Sequence, residues 1–390
     1  MKFSPEELHN IKRLLLSSDQ SSVALGYELA KKARIYLNEL RHELVIVAML
    51  SEDKSFRNKL RRYLGRHFSP EQFKKWKLAF EVFHKFGQYY HYYPQAEQMI
   101  KRHETIRKDF EPSFRQSAHF AEHYYELARI LQYRIKRKPK LARDYYKIVT
   151  AANSQHADAL FNLGHLYQTD LYDNINSEIC YHQVLKLRPT MAVAYNNLGS
   201  LHSKDASRID EAIKYFNKAL KYNPNYTFYT CNLAGAYLTA KQPEKFEELI
   251  HGILSKDRTN KRAINQWANY LWEYKKDYPA AKKAYEDGLR YNPNDQFLVG
   301  NFGELYEYVY KDYLKAFEYY QRSLNASTSP YRLVLMISLL VHHLKDFAKA
   351  QEYYEVLQNE DAYQYQARDH SLTDEQWNDF LTAEKMLLEK

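Results

Sequence analysis

His119-Phe120-Ala121-Glu122-His123 places two histidines around a glutamate in the His-x-x-Glu-His spacing, in which both imidazoles can bind zinc from one helix face while the carboxylate activates water. That chemistry also needs a third ligand from an acidic residue further along, and no downstream Glu is marked out for the part. Tyr124, next in the chain, takes a packing position. His182 and the adjacent His342 and His343 read as solvated or half-buried surface histidines. Two cysteines, Cys180 and Cys231, are too few for a disulfide framework or a structural zinc site. Cys231 lies in an apolar helical run, where a small filler is expected rather than a nucleophile. The chain has no Gly-rich phosphate loop, no Gly-x-Ser-x-Gly and no Cys-x-x-Cys. We therefore expect no catalysis, metal, cofactor or small-molecule substrate.

A different chemistry needs no catalyst. Asn162, Asn197, Asn232, Gln266 and Asn301 recur at intervals of 34 or 35 residues. A side-chain amide carries a donor and an acceptor together, so it can pair with both the N–H and the C=O of an extended peptide, whatever that peptide's side chains. Repeated at a fixed interval, such amides could grip a strand along its length.

Charge offers the rival reading. The net +9 belongs to the front of the chain: residues 1–150 carry +13 and residues 151–390 carry −4. An acidic partner would therefore meet the N-terminal third. Two stretches interleave cations with aromatics. One has Lys54, Arg57, Lys59, Arg61, Arg62 and Arg66 with Phe56, Tyr63 and Phe68; the other has Arg134, Lys136, Arg137, Lys138, Lys140 and Arg143 with Tyr133, Tyr145 and Tyr146. Such stretches can track phosphates and stack bases of RNA or single-stranded DNA, although the second crosses an inter-helix turn and no recognised nucleic-acid motif is present.

These residues must be positioned by a chain of 390 residues with only 10 Gly and 11 Pro, 45% hydrophobic and rich in Tyr. That composition excludes collagen, a turn-rich β sandwich and disorder, and favours helices. No apolar run approaches the roughly 20 residues that span a membrane. The start, Met1-Lys2-Phe3-Ser4-Pro5, has no apolar segment of signal-peptide type, so a cytoplasmic chain is expected.

Comparing the chain with itself fixes the architecture. Leu160-Phe161-Asn162-Leu163-Gly164-His165-Leu166-Tyr167 returns 35 residues on as Tyr195-Asn196-Asn197-Leu198-Gly199-Ser200-Leu201-His202, and again as Thr230-Cys231-Asn232-Leu233-Ala234-Gly235-Ala236-Tyr237. Val299-Gly300-Asn301-Phe302-Gly303 keeps the phase. A second helical segment follows each, most clearly Ala212 to Leu220 with Asn223-Pro224. The pattern resembles the tetratricopeptide repeat, a 34-residue helix-turn-helix unit. In this reading the Gly after Leu lets the two helices approach, Ala212 and Ala219 make room opposite, and Pro189, Pro224 and Pro293 end the second helices. Most units carry one residue more than 34, placed in the inter-helix turn as in Thr169 to Asp173, and Trp267-Ala268 and Ile337-Ser338 stand in for Leu-Gly.

The resemblance implies an all-α, right-handed superhelical solenoid of antiparallel helix pairs. We expect a separate N-terminal helical module over 1–70, with Ser4-Pro5-Glu6-Glu7 as its capping signal and Leu14 to Leu16, Leu25 and Leu29 as its apolar positions. A degenerate repeat and connector follows over 71–118, then seven repeats over 119–360 and a C-terminal capping helix over 361–390. In the family, the amide positions face the concave groove, an arrangement similar to the asparagine ladder of O-linked N-acetylglucosamine transferases. The implied function is a non-catalytic scaffold that holds an extended segment of a protein partner. Its contacts would be the five amides together with Phe161, Phe228, Arg262, Trp272 and Phe297, with Leu238, Tyr308, Asn196, Asn265 and Asn269 nearby. The family's carboxylate clamp for chaperone tails needs Lys where this chain has Phe161 and Asn196, which disfavours that ligand.

Overall fold

The structure is a computed structural model that describes residues 3–17, 19–33, 36–50, 53–67, 100–101, 104, 120–135, 138–327, 329–359 and 372–389. The degenerate repeat expected over 72–110 falls almost wholly outside them, as do Phe68 and His119. Every described element is a helix. The chain divides into two compact units, Met1–Asn197 and Leu198–Lys390.

In the first unit, α1 (Pro5–Leu15), α2 (Gln20–Lys32), α3 (Leu37–Leu50) and α4 (Lys54–His67) pack as two hairpins. Ser4 and Glu7 close the expected capping box: the Ser4 hydroxyl accepts from Glu7 N at 3.2 Å, and Glu7 accepts from Ser4 N at 2.6 Å. Leu15 and Leu16 are buried, but Leu25 is 54% exposed because it lies on the face of α2 opposite Val23, Tyr27 and Ala30. Next come α5 (Phe120–Ile130), which ends in a π turn over Leu131–Ile135, then α6 (Pro139–Ala152), α7 (Ala157–Thr169) and α8 (Asn174–Leu187). Tyr124, Tyr145, Tyr146 and Leu166 join Tyr27, Leu44 and Leu60 in one core cluster. Each fully buried side chain of this size contributes about 1.5–3 kcal/mol.

Helix α9 (Ala192–His202) begins in the first unit and ends in the second. The second unit continues with α10 (Ile209–Tyr222), α11 (Thr227–Thr239), α12 (Pro243–Lys256), α13 (Lys261–Asn269), α14 (Tyr278–Tyr291), α15 (Gln296–Leu305), α16 (Tyr313–Ala326), α17 (Pro330–Leu339), α18 (Phe347–Asn359) and α19 (Asp374–Leu388). Close approach within a hairpin explains the Leu-Gly signature. A Cβ on Gly199 would lie 2.7 Å from the Phe216 ring, and one on Gly303 would lie 2.7 Å from Tyr320. Ala212 and Ala219 are fully buried beside Phe216, as expected. Helices α8, α10 and α14 each stop two residues before Pro189, Pro224 and Pro293. Thr373 and Gln376 form a capping box at the start of α19, which packs on α17 through a buried stripe that includes Phe380, Ala383 and Leu387.

The extra residue of the 35-residue unit is handled by the helix ends as well as the turn. The last turns of α13, α15 and α17 widen to π over Tyr270–Tyr274, Tyr306–Tyr310 and Leu340–Leu344. The chain then passes through one left-handed residue: Lys276, Lys311 and Lys345 after these helices, and Lys241 and Tyr172 after α11 and α7, all with φ between 53° and 59°. The following amide reaches back to the helix end, as Asp312 N does to Tyr306 O at 3.1 Å and Asp346 N to Leu340 O at 3.1 Å. The same aspartates cap the next helix. Asp277, Asp312 and Asp346 accept from Ala280 N, Lys315 N and Lys349 N at 3.0, 3.2 and 3.2 Å.

Candidate peptide-binding face

The amide positions lie on the first helices of the hairpins, and every one of them is already bonded to its own protein. In the first unit, Asn162 on α7 is buried; its Nδ2 donates to Tyr125 Oη at 3.1 Å, and its Oδ1 accepts from Tyr133 at 3.2 Å. Asn197 on α9 donates to Tyr181 Oη at 3.0 Å and accepts from Asn196 at 3.3 Å. In the second unit, Asn232 Oδ1 accepts from Arg262 at 2.8 Å, and Gln266 donates to the Cys231 carbonyl at 3.1 Å. Asn301 donates to Asn265 Oδ1 at 3.1 Å and accepts from Arg332 at 3.2 Å. Most of these bonds cross from one hairpin to the next, so the amides stitch repeats together. Amides satisfied in this way fix the relative placement of the helices that carry them.

The aromatic positions separate into two kinds. Phe161 is half-buried against Tyr181, and Trp272 is half-buried against the core of the second unit. Phe297 is 60% exposed and Phe228 37% exposed, and the Arg262 guanidinium sits 4.2 Å from the Phe228 ring centroid. That stacking, with the Asn232 bond, holds Arg262 against the surface, where partial desolvation draws its pKa down from the ordinary value. Leu238 packs against the core, and Tyr308 accepts from Gln376 of α19 at 3.3 Å, so the C-terminal helix covers that end of the face.

Sequence reasoning missed a buried charged cluster on α15 and α17. Arg332 and Glu304 are almost fully buried. Arg332 Nη1 donates to Glu304 Oε1 at 3.0 Å and to the Gly300 carbonyl at 2.9 Å, while Tyr331 Oη donates to Glu304 Oε2 at 2.9 Å. Tyr320 Oη donates to Glu307 at 2.5 Å. Burial pushes the Glu307 carboxyl up to about 7, with Glu304 adding to the rise and Tyr320 and Arg332 opposing it. Glu273, on the π turn after α13, keeps solvent access on one side, yet desolvation on the other and the charge of Glu304 raise it to about 7 as well, against the opposing charge of Lys276. For Arg332, burial works against the charged form, but Glu304 and the two tyrosines more than offset it and its pKa rises. The sequence signal was available only in hindsight: an acid one and four positions after the Gly of Phe302-Gly303, and an arginine just inside the next first helix.

The sites considered for other chemistry resolve structurally. Cys180 and Cys231 are buried, and burial pushes their thiols up to about 12 and about 11. His123 is buried against Tyr124, and Glu122 faces His156 at 3.6 Å. Of the aromatics in the basic stretches, Phe56 and Tyr63 pack edge-on against Tyr27, and Tyr145 and Tyr146 are fully buried, so none of these four is presented to solvent as a stacking platform. No helix among the described residues is long and apolar enough to cross a membrane.

Stacked helical hairpins joined by side-chain bonds one repeat apart define a helical-repeat protein of the interaction-scaffold class. The tetratricopeptide repeat profile matches residues 192–226, and the chain has the helical-repeat fold of tetratricopeptide repeat proteins. It is 25% identical over 166 residues to the type IV pilus assembly protein PilF of Pseudomonas aeruginosa, a stretch that spans 42% of this chain and 64% of that protein, just under two thirds. The crystal structure of yeast Tom70 superposes with a TM-score of 0.54 at 16% identity, covering 95% of this chain and 75% of that one. A tetratricopeptide repeat protein from Parabacteroides merdae covers 67% of this chain and 98% of its own at a TM-score of 0.48 and 16% identity. Proteins of this class are in general non-catalytic.

Proposed function

We infer that the face formed by the first helices, concave in this family, holds an extended segment of a protein partner. The observation that carries this reading is the group Phe228, Arg262 and Asn232 with the exposed Phe297. It combines two aromatics open to solvent, a guanidinium fixed by stacking at 4.2 Å, and an amide held by that guanidinium. Preorganised aromatic and arginine side chains of this sort supply most of the energy of protein interfaces. The amides contribute by holding successive hairpins in register and by their remaining hydrogen-bonding capacity. The likeness to PilF supports an assembly role, in which the held segment belongs to another component of a multi-protein complex. Nucleic-acid binding gains no support, because the aromatics of its basic stretches are mostly consumed in the core.

The test compares wild type with the triple variant Phe228→Ala, Arg262→Ala, Phe297→Ala in pull-downs from nuclease-treated lysate. Fragments of the retained protein are then titrated directly. A partner segment bound by the wild type and weakened by tenfold or more in the variant, with helicity unchanged by circular dichroism, is the expected result. Equal binding to both proteins overturns the reading.

A further inference from the structure

Arg262 on α13 and Arg332 on α17 use the same repeat position, and of the two only Arg332 pairs with a carboxylate among the described residues. Each donates from Nη2 to the asparagine of the preceding first helix, Arg262 to Asn232 at 2.8 Å and Arg332 to Asn301 at 3.2 Å, and they lie 30 and 31 residues after those partners. Arg332 Nη1 is bonded as well, to Glu304 at 3.0 Å and to the Gly300 carbonyl at 2.9 Å. At Arg262 both acceptors are gone. Glu304 stands three residues after Asn301, whereas three after Asn232 comes Gly235. Gly300 directly precedes Asn301, and the carbonyl of its counterpart Cys231 accepts from Gln266 at 3.1 Å instead. The guanidinium edge formed by Nε and Nη1 of Arg262 is left without an acceptor among the described residues.

The neighbouring acids are committed elsewhere. Asp295 pairs with Lys261 at 2.9 Å and caps α15, and Asp257 accepts from Thr259 N in its own turn at 2.9 Å. The groups that act electrostatically on Arg262 are a thiol, Cys231, and a phenol, Tyr226, and no carboxylate is among them. Desolvation therefore prevails and lowers its pKa, whereas at Arg332 Glu304 and the two tyrosines more than offset desolvation and raise it. Room is also available. Arg262 is exposed, and a Cβ on Gly235 would meet one atom within 4 Å, Gln266 Nε2 at 3.7 Å. Because the Phe228 ring stacks at 4.2 Å and Asn232 holds Nη2, the open edge is fixed in direction.

We propose that this edge pairs with the side-chain carboxylate of an Asp or Glu inside the partner's extended segment. The inference rests on the peptide-binding reading and names what that face selects. An arginine fork takes both oxygens of a carboxylate in plane, and the partner's acid fills the place that Glu304 fills for Arg332. Register sets a second requirement. Phe297 follows Arg262 by one repeat on α15, which packs on α13, and packed helices lie about 8–10 Å apart. A polyproline II segment rises about 3.1 Å per residue and returns the same face every third residue, about 9 Å on. The segment therefore carries an apolar residue three positions from the acid, seated against the exposed Phe297 ring.

The experiment selects binders of the full chain from a phage-displayed library of random peptides, in parallel for wild type, Arg262→Gln and the charge-reversed Arg262→Glu. Glutamine is uncharged and can still donate to Asn232, and circular dichroism checks that each variant folds. The expected wild-type consensus holds an Asp or Glu with an apolar residue three positions away. Arg262→Gln should lose the preference for the acid, and Arg262→Glu should replace it with Lys or Arg. A synthetic consensus peptide with an amidated C-terminus should bind Arg262→Gln about tenfold or more weakly than wild type, while the same peptide with Gln for its acid binds both alike. The inference is overturned if the wild-type peptides share no acid, or if the acid preference survives in Arg262→Gln. It is also overturned if binding needs a free C-terminal carboxylate, or if a phosphoserine peptide outcompetes the acidic one. Those outcomes leave the peptide-binding reading standing. If wild type selects no peptide, or its peptides bind the Phe228→Ala, Arg262→Ala, Phe297→Ala variant equally well, that reading falls and this inference with it.

Discussion

Arg332 of α17 lies against Gly300 of α15, one repeat earlier, with its guanidinium where a Cβ on that glycine would sit. The glycine thus permits a buried arginine to reach Glu304, and the pair ties two successive hairpins together. Gly300→Ala should displace Arg332 and leave Glu304 buried without its cation, a loss of about 3–5 kcal/mol. Denaturant unfolding checks this. In the Gly300→Ala, Arg332→Leu, Glu304→Leu triple variant both charges are gone, and most of the lost stability should return. A single Gly300→Ala as stable as wild type would show that Arg332 has room to move aside.

Glu307 makes stability depend on pH. Its folded pKa, about 7, lies above the ordinary value of 4.5, so the folded protein holds the proton more tightly than the unfolded chain does. The favourable contribution is complete below about pH 4.5, is lost as pH rises to about 7, and is absent above that. Relative to Glu307→Gln, wild type should lose up to about 3 kcal/mol between pH 4.5 and 8. The difference between the two proteins is the quantity to measure, because Glu273, also raised to about 7, adds to the trend in both, and half-buried His165, with its pKa lowered by burial, responds in the opposite sense.

Hairpin turns give a prediction of gain. Lys241 holds φ 57° after α11. Lys241→Asn should raise the unfolding free energy by about 0.5–1 kcal/mol by easing the left-handed backbone. Paired melts of the two proteins would register this as a shift of a few degrees at most, and a fall in melting temperature would mean that the lysine side chain stabilises the turn.

How legible the molecule was in its sequence depends on the range of the interaction involved. Gly199 against Phe216, and Ala212 and Ala219 beside it, are contacts within a hairpin, so the spacing of residue types specified them directly. The Ser4–Glu7 capping box is local in the same way. The Lys-Asp pairs at 276–277, 311–312 and 345–346 were also readable, yet they fall in turns, where the repeat signature places no demand and attention passes over them. Arg332 with Glu304 was beyond reach. That pair spans 28 residues and depends on the register between two hairpins, which a helical period does not specify. The amides were correctly located on the first helices, but the partners that occupy them, Tyr125, Tyr133 and Tyr181, come from neighbouring helices and could not be inferred from a column of Asn.

Those occupied amides change what a substitution tests. Read from sequence, replacing Asn162, Asn197, Asn232 and Asn301 by Ala should leave the fold intact and remove a ligand. The bonds found here make that separation impossible at Asn162, which is buried and serves both Tyr125 and Tyr133. Asn162→Ala strands two tyrosine hydroxyls of the preceding hairpin and should cost about 1–3 kcal/mol. Asn162→Asp keeps the acceptor for Tyr133 but puts a charge into the same buried site, and should cost no less. Asn232, bonded to the surface guanidinium of Arg262, should lose under about 1 kcal/mol on the same change to Ala. Chemical denaturation of the two single Ala variants decides the matter. A larger loss at Asn162 than at Asn232 assigns the first amide to stitching repeats together, whereas equal and negligible losses would return the whole column to the role of ligand contact.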